Sequence, residues 1–225
     1  VVLALLARGH VLIEDVPGVG KTSLVSAVAK SVDCGFKRIQ FTPDLMPSDV
    51  TGFSIYNQKT GEFEFRPGAV MSNLVLADEI NRASAKTQAA LLEAMEEKQV
   101  TVDSKSYNLE EPFMVLATQN PLESFGTYPL PDAQIDRFLL KLSIGYPSID
   151  EEQQIIHKGT AGKSEIRPVV TKQDVVSLSR LAEQVHMDAG IERYIVEIVT
   201  ATRSHRSILL GASPRGSIAL HSASK

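Results

Sequence analysis

Residues His10 to Leu24 read HVLIEDVPGVGKTSL. An apolar, strand-prone run is followed by a turn rich in glycine, and then Lys21-Thr22 opens a helix-forming stretch. That is the order in which a phosphate cradle is built: strand, bare-backbone turn, helix N-terminus. One position departs from the pattern G-x-x-x-x-G-K-[ST], because Asp15 stands where the first glycine belongs. Pro17-Gly18 can make the tight turn that the missing glycine would assist, and Gly20 leaves the backbone bare where a phosphate approaches. The candidate nucleotide-binding residues are therefore Pro17, Gly18, Val19, Gly20, Lys21, Thr22 and Ser23. Backbone N–H groups from Gly18 to Thr22 would hold the β-phosphate region, Lys21 would reach the β- and γ-phosphates, and Thr22 would ligate Mg²⁺. A glycine-rich turn with an exposed lysine would explain the same letters, so the loop needs support from elsewhere in the chain.

The support lies at two further strand ends. In NLVLADEINRA, a short apolar run closes on Asp78-Glu79, the form of a buried parallel strand whose carboxyl end meets a ligand crevice. Adjacent acids on a strand face opposite ways. Asp78 can then hold a hydrated Mg²⁺ while Glu79 polarises a water beyond the γ-phosphate. In VLATQNP, Asn120 follows another apolar run, and its amide can donate and accept at once, so it could fix the attacking water or the γ-phosphate. A plain turn at Gln119-Asn120-Pro121 accounts for that tripeptide equally well in isolation.

Working outward, short apolar runs alternate with helical patterns. The strand candidates are HVLIED, KRIQFT, NLVLAD, PFMVLAT and FLLKLSI, with KTSLVSAVAKSV and AKTQAALLEAMEEKQ as helices between them. The fold class is α/β, with a parallel sheet and crossover helices. From Pro147 the pattern turns helical throughout, in SIDEEQQIIHKG, TKQDVVSLSRLAEQV and GIERYIVEIVTATRSHR. The expected organisation is a nucleotide-binding core over residues 1–146 and a small helical domain over 147–225. Two hairpins interrupt the rhythm. GFSIYNQKTGEFEFRPG should pair Phe53 and Ile55 against Phe63 and Phe65, and QVTVDSKSYNL should turn at Asp103-Ser104-Lys105.

Composition limits the partners. With 27 acidic and 23 basic residues the 225-residue chain carries a net charge of −4, which gives no electrostatic reason to expect nucleic acid or an anionic membrane. No run approaches the ~18 apolar residues of a membrane span. The apolar opening VVLALLARGH lacks the basic region and cleavage-like site of a signal peptide. Cys34 is the only cysteine, so no internal disulfide can form, and a cytoplasmic location is expected. Helical patterns at both ends suggest a piece of a longer protein.

The ordered motifs resemble those of the AAA+ ATPases, and among them the MoxR family. EDVPGVGKT is similar to a Walker A loop, LVLADEINRA to Walker B, ATQNP to sensor 1, LPDAQIDRF to the arginine-finger segment and GASPRG to sensor 2, while RIQFTPDLMPSDVTG follows the second strand as in that family. The resemblance implies a P-loop NTPase core of five parallel strands followed by an all-α lid. It implies ATP and Mg²⁺ as cofactors and a homo-oligomer, usually a hexameric ring with nucleotide between subunits. It also implies action on other proteins as a chaperone, often with a von Willebrand factor A domain partner. By the same resemblance Arg137 is the finger that completes a neighbour's site, and Arg215 is a lid residue aimed at the γ-phosphate. Arg66 and Arg82 are further contacts across the subunit boundary, and the hairpins are loops near the ring's pore. Other classes remain open. A GTPase or nucleotide kinase would lack its guanine signal N-K-x-D here, and a DNA-acting motor of the helicase-related group is opposed by the acidic charge.

Overall fold

The computed structural model describes residues 1–16, 18–121, 126–159 and 166–225. A short helix α1 (Val2–Leu6) leads into β1 (Val11–Glu14), and α2 (Lys21–Ser31) connects it to β2 (Phe36–Gln40). Helix α3 (Pro47–Thr51) precedes a hairpin of β3 (Gly52–Asn57) and β4 (Glu62–Pro67). Then come β5 (Leu74–Asp78), a single 3-10 turn at Ile80–Arg82, and α4 (Ala85–Glu97). A second hairpin, β6 (Gln99–Val102) and β7 (Lys105–Asn108), comes before β8 (Met114–Gln119), α5 (Asp132–Ile135) and β9 (Leu140–Leu142). Helices α6 (Ile149–Gly159), α7 (Lys172–Glu183), α8 (Ala189–Ser204) and α9 (Pro214–Ser224) follow the last strand.

The main sheet has five strands in the order β2-β5-β8-β1-β9, and every neighbouring pair is parallel. These are the five runs the sequence marks as strands. The chain leaves β1 for the far edge at β2 and returns through β5 and β8 to lie beside β1 again, so the carboxyl ends of β1, β5 and β8 converge on one crevice.

Alternation along each central strand divides the core in two. Leu12, Val75, Ala77, Val115 and Ala117 face Leu91, Leu92 and Met95 of α4, whereas Val11, Ile13, Leu74, Leu76 and Leu116 face Ala4 of α1 and Val25 and Ala29 of α2. Burial on both faces is why these strands read as continuous apolar runs. Each fully buried aliphatic side chain contributes roughly 1.5–3 kcal/mol. His10, just ahead of β1, is a buried staple within this core. Its Nδ1 accepts from the Val115 backbone N–H at 3.0 Å, and its Nε2 donates to the Met95 carbonyl at 3.2 Å. Burial lowers its pKa from 6.5 to about 4, so the ring stays neutral. Cys34 is half-buried, and burial pushes its thiol up to about 11.

The hairpins correct the expected pairing. Phe53 lies opposite Arg66 and Ile55 opposite Glu64, while Phe63 pairs with Tyr56 and Phe65 with Ser54. The reason is the turn. Asn57 pairs with Glu62, its carbonyl accepts from Gly61 N–H at 2.8 Å, and its side-chain oxygen accepts from Lys59 N–H at 2.9 Å, which fixes a register one residue away from an all-apolar match. Phe65 turns inward and stacks on Tyr107 of the second hairpin at 3.9 Å, whereas Phe53, Ile55 and Phe63 are exposed. The second turn is tighter than expected, since Lys105 already pairs with Val102 and only Asp103 and Ser104 lie between, at φ 49° and 63°. At the neck of the first hairpin Gly52 takes φ 104°, and a Cβ there would meet the Arg66 carbonyl at 2.5 Å, so a side chain is excluded.

The later helices carry strong start signals. Thr171 and Asp174 form a capping box on α7, Asp188 caps α8, and Ser213 caps α9 with Pro214 in its first turn. Helix α7 packs on α1, Val175 joins the core behind it, and Arg8–Glu183 at 3.0 Å fastens the same contact.

Candidate nucleotide site

The loop after β1 opens into a cleft of ≈ 330 Å³ lined by residues 18 and 20–23 together with Arg38, Gln40, Asp78 and Glu79. Gly18 and Gly20 adopt φ 90° and 89°, the left-handed region, and a Cβ on either would meet nothing within 4 Å, so conformation and not packing demands glycine. Gly20 is also the N-cap of α2, which aims the free N–H groups of that helix into the cleft. Lys21 Nζ donates to the Asp15 carbonyl at 3.0 Å, and Thr22 and Ser23 stand on the first turn. Val19 forms the bend between the two glycines, and Pro17 lies outside the described residues.

Asp15, the one departure in the loop, is buried and has its own partners. Its Oδ2 accepts from the backbone N–H groups of Ile144 and Gly145 (2.8 Å for the latter) and its Oδ1 from Val16 N–H at 2.9 Å. Burial opposes ionisation, but those N–H donors outweigh it and hold the carboxyl below the usual aspartate range. The residue thus ties the start of the phosphate loop to the segment leaving β9.

The acid pair sits at the end of β5. Asp78 Oδ1 accepts from the Thr118 hydroxyl at 2.5 Å, and its Oδ2 accepts from Arg38 Nη2 at 2.6 Å. Glu79 lies beyond the strand with φ 56° and ψ 49°, so its divergence from Asp78 comes from a left-handed kink and not from simple strand alternation. Such a conformation in a non-glycine residue costs roughly 1–2 kcal/mol, and strain of this kind concentrates at functional sites. The kink is held by Glu79 N–H on Thr118 Oγ1 at 2.9 Å, Gln40 Nε2 on Glu79 Oε2 at 2.7 Å and Arg82 Nη1 on the same oxygen at 3.2 Å. Asn120 is buried just beyond β8, and its side chain is not among those lining the cleft. Arg66 lies on the first hairpin, 3.7 Å from Glu64.

The other two predicted site residues lie elsewhere, and together. Arg137 Nη1 donates to the Leu92 carbonyl and to Glu96 Oε2, each at 3.0 Å, and Arg215 Nη2 binds the other oxygen of Glu96. The sequence reading aims Arg215 at the γ-phosphate; the structure places it beside Arg137 on Glu96, outside the cleft of its own chain. The Ser213 hydroxyl, besides capping α9, bonds Asp136, which docks the start of α9 against the end of α5. Arg137 precedes β9 and so lies at the amino end of the parallel sheet, whereas the phosphate loop leaves the carboxyl end of β1. Sequence reasoning missed Arg38, Gln40, Thr118 and Glu96. A period-two reading of KRIQ would have put Arg38 and Gln40 on one side of a strand, whereas nothing local marks Thr118 or Glu96.

A strand, a glycine turn at a helix N-terminus and a neighbouring strand that ends in two acids, set on a parallel five-stranded sheet, define a P-loop NTPase. A family model described as ATPase family associated with various cellular activities (AAA) matches residues 10–140. The chain is 61% identical over 224 residues to the Bacillus subtilis protein YeaC, itself uncharacterized, covering 99% of this chain and 70% of that one. It is 43% identical to chaperone MoxR1 of Mycobacterium tuberculosis, again over 99% of this chain but 62% of the relative. A crystal structure from Cytophaga hutchinsonii, described as a candidate ATPase, superposes with a TM-score of 0.89 at 44% identity, over 98% of this chain and 70% of that one. This chain belongs to the MoxR family of AAA+ ATPases.

Proposed function

We propose that the chain hydrolyses ATP with Mg²⁺, in a ring of its own copies, to remodel or activate other proteins. The observation that carries the chemistry is the pair Asp78-Glu79 facing the phosphate loop across one cleft. The donor set suits the metal. The Thr22 hydroxyl and the Asp78 carboxylate are hard oxygen donors, and among the described residues no group of three His, Cys, Asp or Glu stands ready to hold an ion without help from phosphate and water. Mg²⁺ would neutralise charge on the phosphate oxygens. Lys21 and the loop N–H groups hold the β- and γ-phosphates, and Glu79 accepts hydrogen bonds from a water and takes its proton as the water oxygen bonds to the γ-phosphorus and the β–γ bridge breaks. Asn120 orients that water or the phosphate.

Arg137 and Arg215 point this reading toward a shared site. At the amino end of their own sheet they cannot serve their own loop, but in a ring that end can face a neighbour's cleft, where fixed positive charge stabilises the transition state. A hexamer, a von Willebrand factor A domain partner and pore roles for the hairpins rest on the family resemblance, as does action as a chaperone, the printed role of the tuberculosis relative; a cytoplasmic setting rests on the single cysteine. Among the described residues no helix is long and apolar enough to cross a membrane. Residues 147–225 would be the lid. The chain spans 62% of that relative's length.

The test is Glu79→Gln. It should keep ATP binding and lose at least ~100-fold in turnover, while Lys21→Ala should weaken binding itself. Near-normal hydrolysis by Glu79→Gln would overturn the assignment of the base.

A further inference from the structure

The clasp on Asp78 comes from β2, the edge strand beside β5. Gln40 lies directly opposite Asp78 in the ladder and Arg38 opposite Leu76, so the Arg38 guanidinium reaches forward along the sheet to the carboxylate. Its Nη2 and Nε both fall on Asp78 Oδ2, at 2.6 and 3.2 Å, and Nη2 also donates to Gln40 Oε1 at 3.0 Å. Oδ1 is taken by Thr118. Both oxygens of the carboxylate expected to hold the metal are therefore engaged by protein.

The two partners are unequal. The Asp78 side chain is 12% exposed and that of Arg38 48%. A carboxylate so nearly buried requires a counter-cation, whereas the guanidinium can swing on its alkyl stem into solvent without losing much hydration. The geometry also differs from the strongest arginine–carboxylate pairing, in which two N–H groups take two oxygens; here both converge on one, which makes the contact easier to exchange.

We propose that Arg38 is a tethered cation that competes with divalent metal for Asp78 and so sets the metal affinity of the cleft. The proposal rests on the reading of that cleft as a metal–nucleotide site. Metal entry releases Arg38, and with it the link through Gln40 to Glu79, so the edge strand couples occupancy at one acid to the freedom of the other. A purely structural ion pair predicts the reverse: loss of Arg38 would leave a disordered Asp78 and a weaker metal site.

The experiment is a titration of Mn²⁺ followed by electron paramagnetic resonance, with the protein alone and saturated with ADP, on wild type, Arg38→Gln and Arg38→Met. Thermal unfolding checks that each variant is folded, and two variants guard against one misfolding. Binding of a fluorescent ADP analogue in EDTA is measured in parallel. Removing the competitor should tighten Mn²⁺ by about fivefold, the scale of a half-exposed ion pair, with metal-free ADP binding unchanged. Equal or weaker Mn²⁺ affinity in the folded variants overturns the proposal, and so does a loss of metal-free ADP affinity, which would make Arg38 a phosphate ligand instead. If wild type binds no ADP under any condition, the nucleotide reading falls by itself, and Mn²⁺ titrated alone still decides the role of Arg38.

Discussion

The two ends of the central sheet differ in how their charges are satisfied. At the carboxyl end, free N–H groups, Lys21 and the acid pair line one open cleft, and every charged group there has a counterpart in a metal–triphosphate. At the amino end, Arg137 and Arg215 share the single carboxylate of Glu96. The two guanidiniums meet on that carboxylate at a partly exposed face, where Glu93 and Glu97 line the same hollow. On the proposed reading, the second end would supply a transition-state cation to the cleft of a neighbouring copy. A parallel sheet keeps these ends apart within one chain, so on the proposed reading they would meet between chains.

The sharpest way to break that comparison is to damage the ends separately. Arg137→Ala should lose ~1000-fold in turnover, as other finger deletions do, while nucleotide binding stays intact because the cleft is untouched. Mixed with Lys21→Ala subunits, which keep the arginines but lack the phosphate lysine, it should recover part of the activity in co-assembled rings, each mutant alone serving as control. No recovery despite demonstrated co-assembly would mean that the two ends do not complete each other.

Much of the carboxyl end is legible in sequence and little of the amino end is. Gly18, Gly20, Lys21, Thr22, Asp78 and Glu79 act through local order: a strand, then a turn, then a helix, with period-two burial marking the strand. The five sheet strands are readable for the same reason. The Glu96 cluster depends on where α9 docks, and that is set by its packing on α8 and by long-range ties such as the contact between Ser213 and Asp136, 77 residues apart. Apolar matching alone sets the hairpin register one residue off, because the Asn57 side chain fixes the turn. Glu79 shows a different limit, since its left-handed kink is imposed by contacts from β2 and β8 and not by its own propensity.

Each end also holds a buried titratable staple, and the two should fail in different pH windows. His10 binds the amino end together through Met95 and Val115. The unfolded chain accepts at pH 6.5 a proton that the folded protein refuses until about 4, so stability falls as pH drops through that interval and levels off below it. The full effect is about 3 kcal/mol. His10→Gln, which cannot titrate, should flatten the pH dependence of chemical unfolding between those values even if it lowers stability overall. An unchanged slope would mean that other groups carry the acid response.

Asp15 is the counterpart at the carboxyl end and has the smaller expected effect. Its carboxyl is held below the usual range, so its contribution is present above the ordinary aspartate pKa and is lost as pH falls through the lowered folded value, more acidic than the His10 window. Asp15→Gly restores the glycine of the usual phosphate-loop pattern and therefore separates two roles. If Asp15 served phosphate, the substitution would leave stability alone and change nucleotide affinity. As a staple whose carboxylate satisfies the N–H groups of Val16, Ile144 and Gly145, it should instead lose about 2 kcal/mol, a drop of roughly 4–8 °C in Tm for a chain of this size, with nucleotide affinity within about threefold of wild type. Because Ile144 and Gly145 lead from β9 toward α6, hydrogen exchange at residues 143–146 should rise in the same variant. Unaltered protection there, with a normal Tm, would remove Asp15 from the link between the phosphate loop and the helices that follow the sheet.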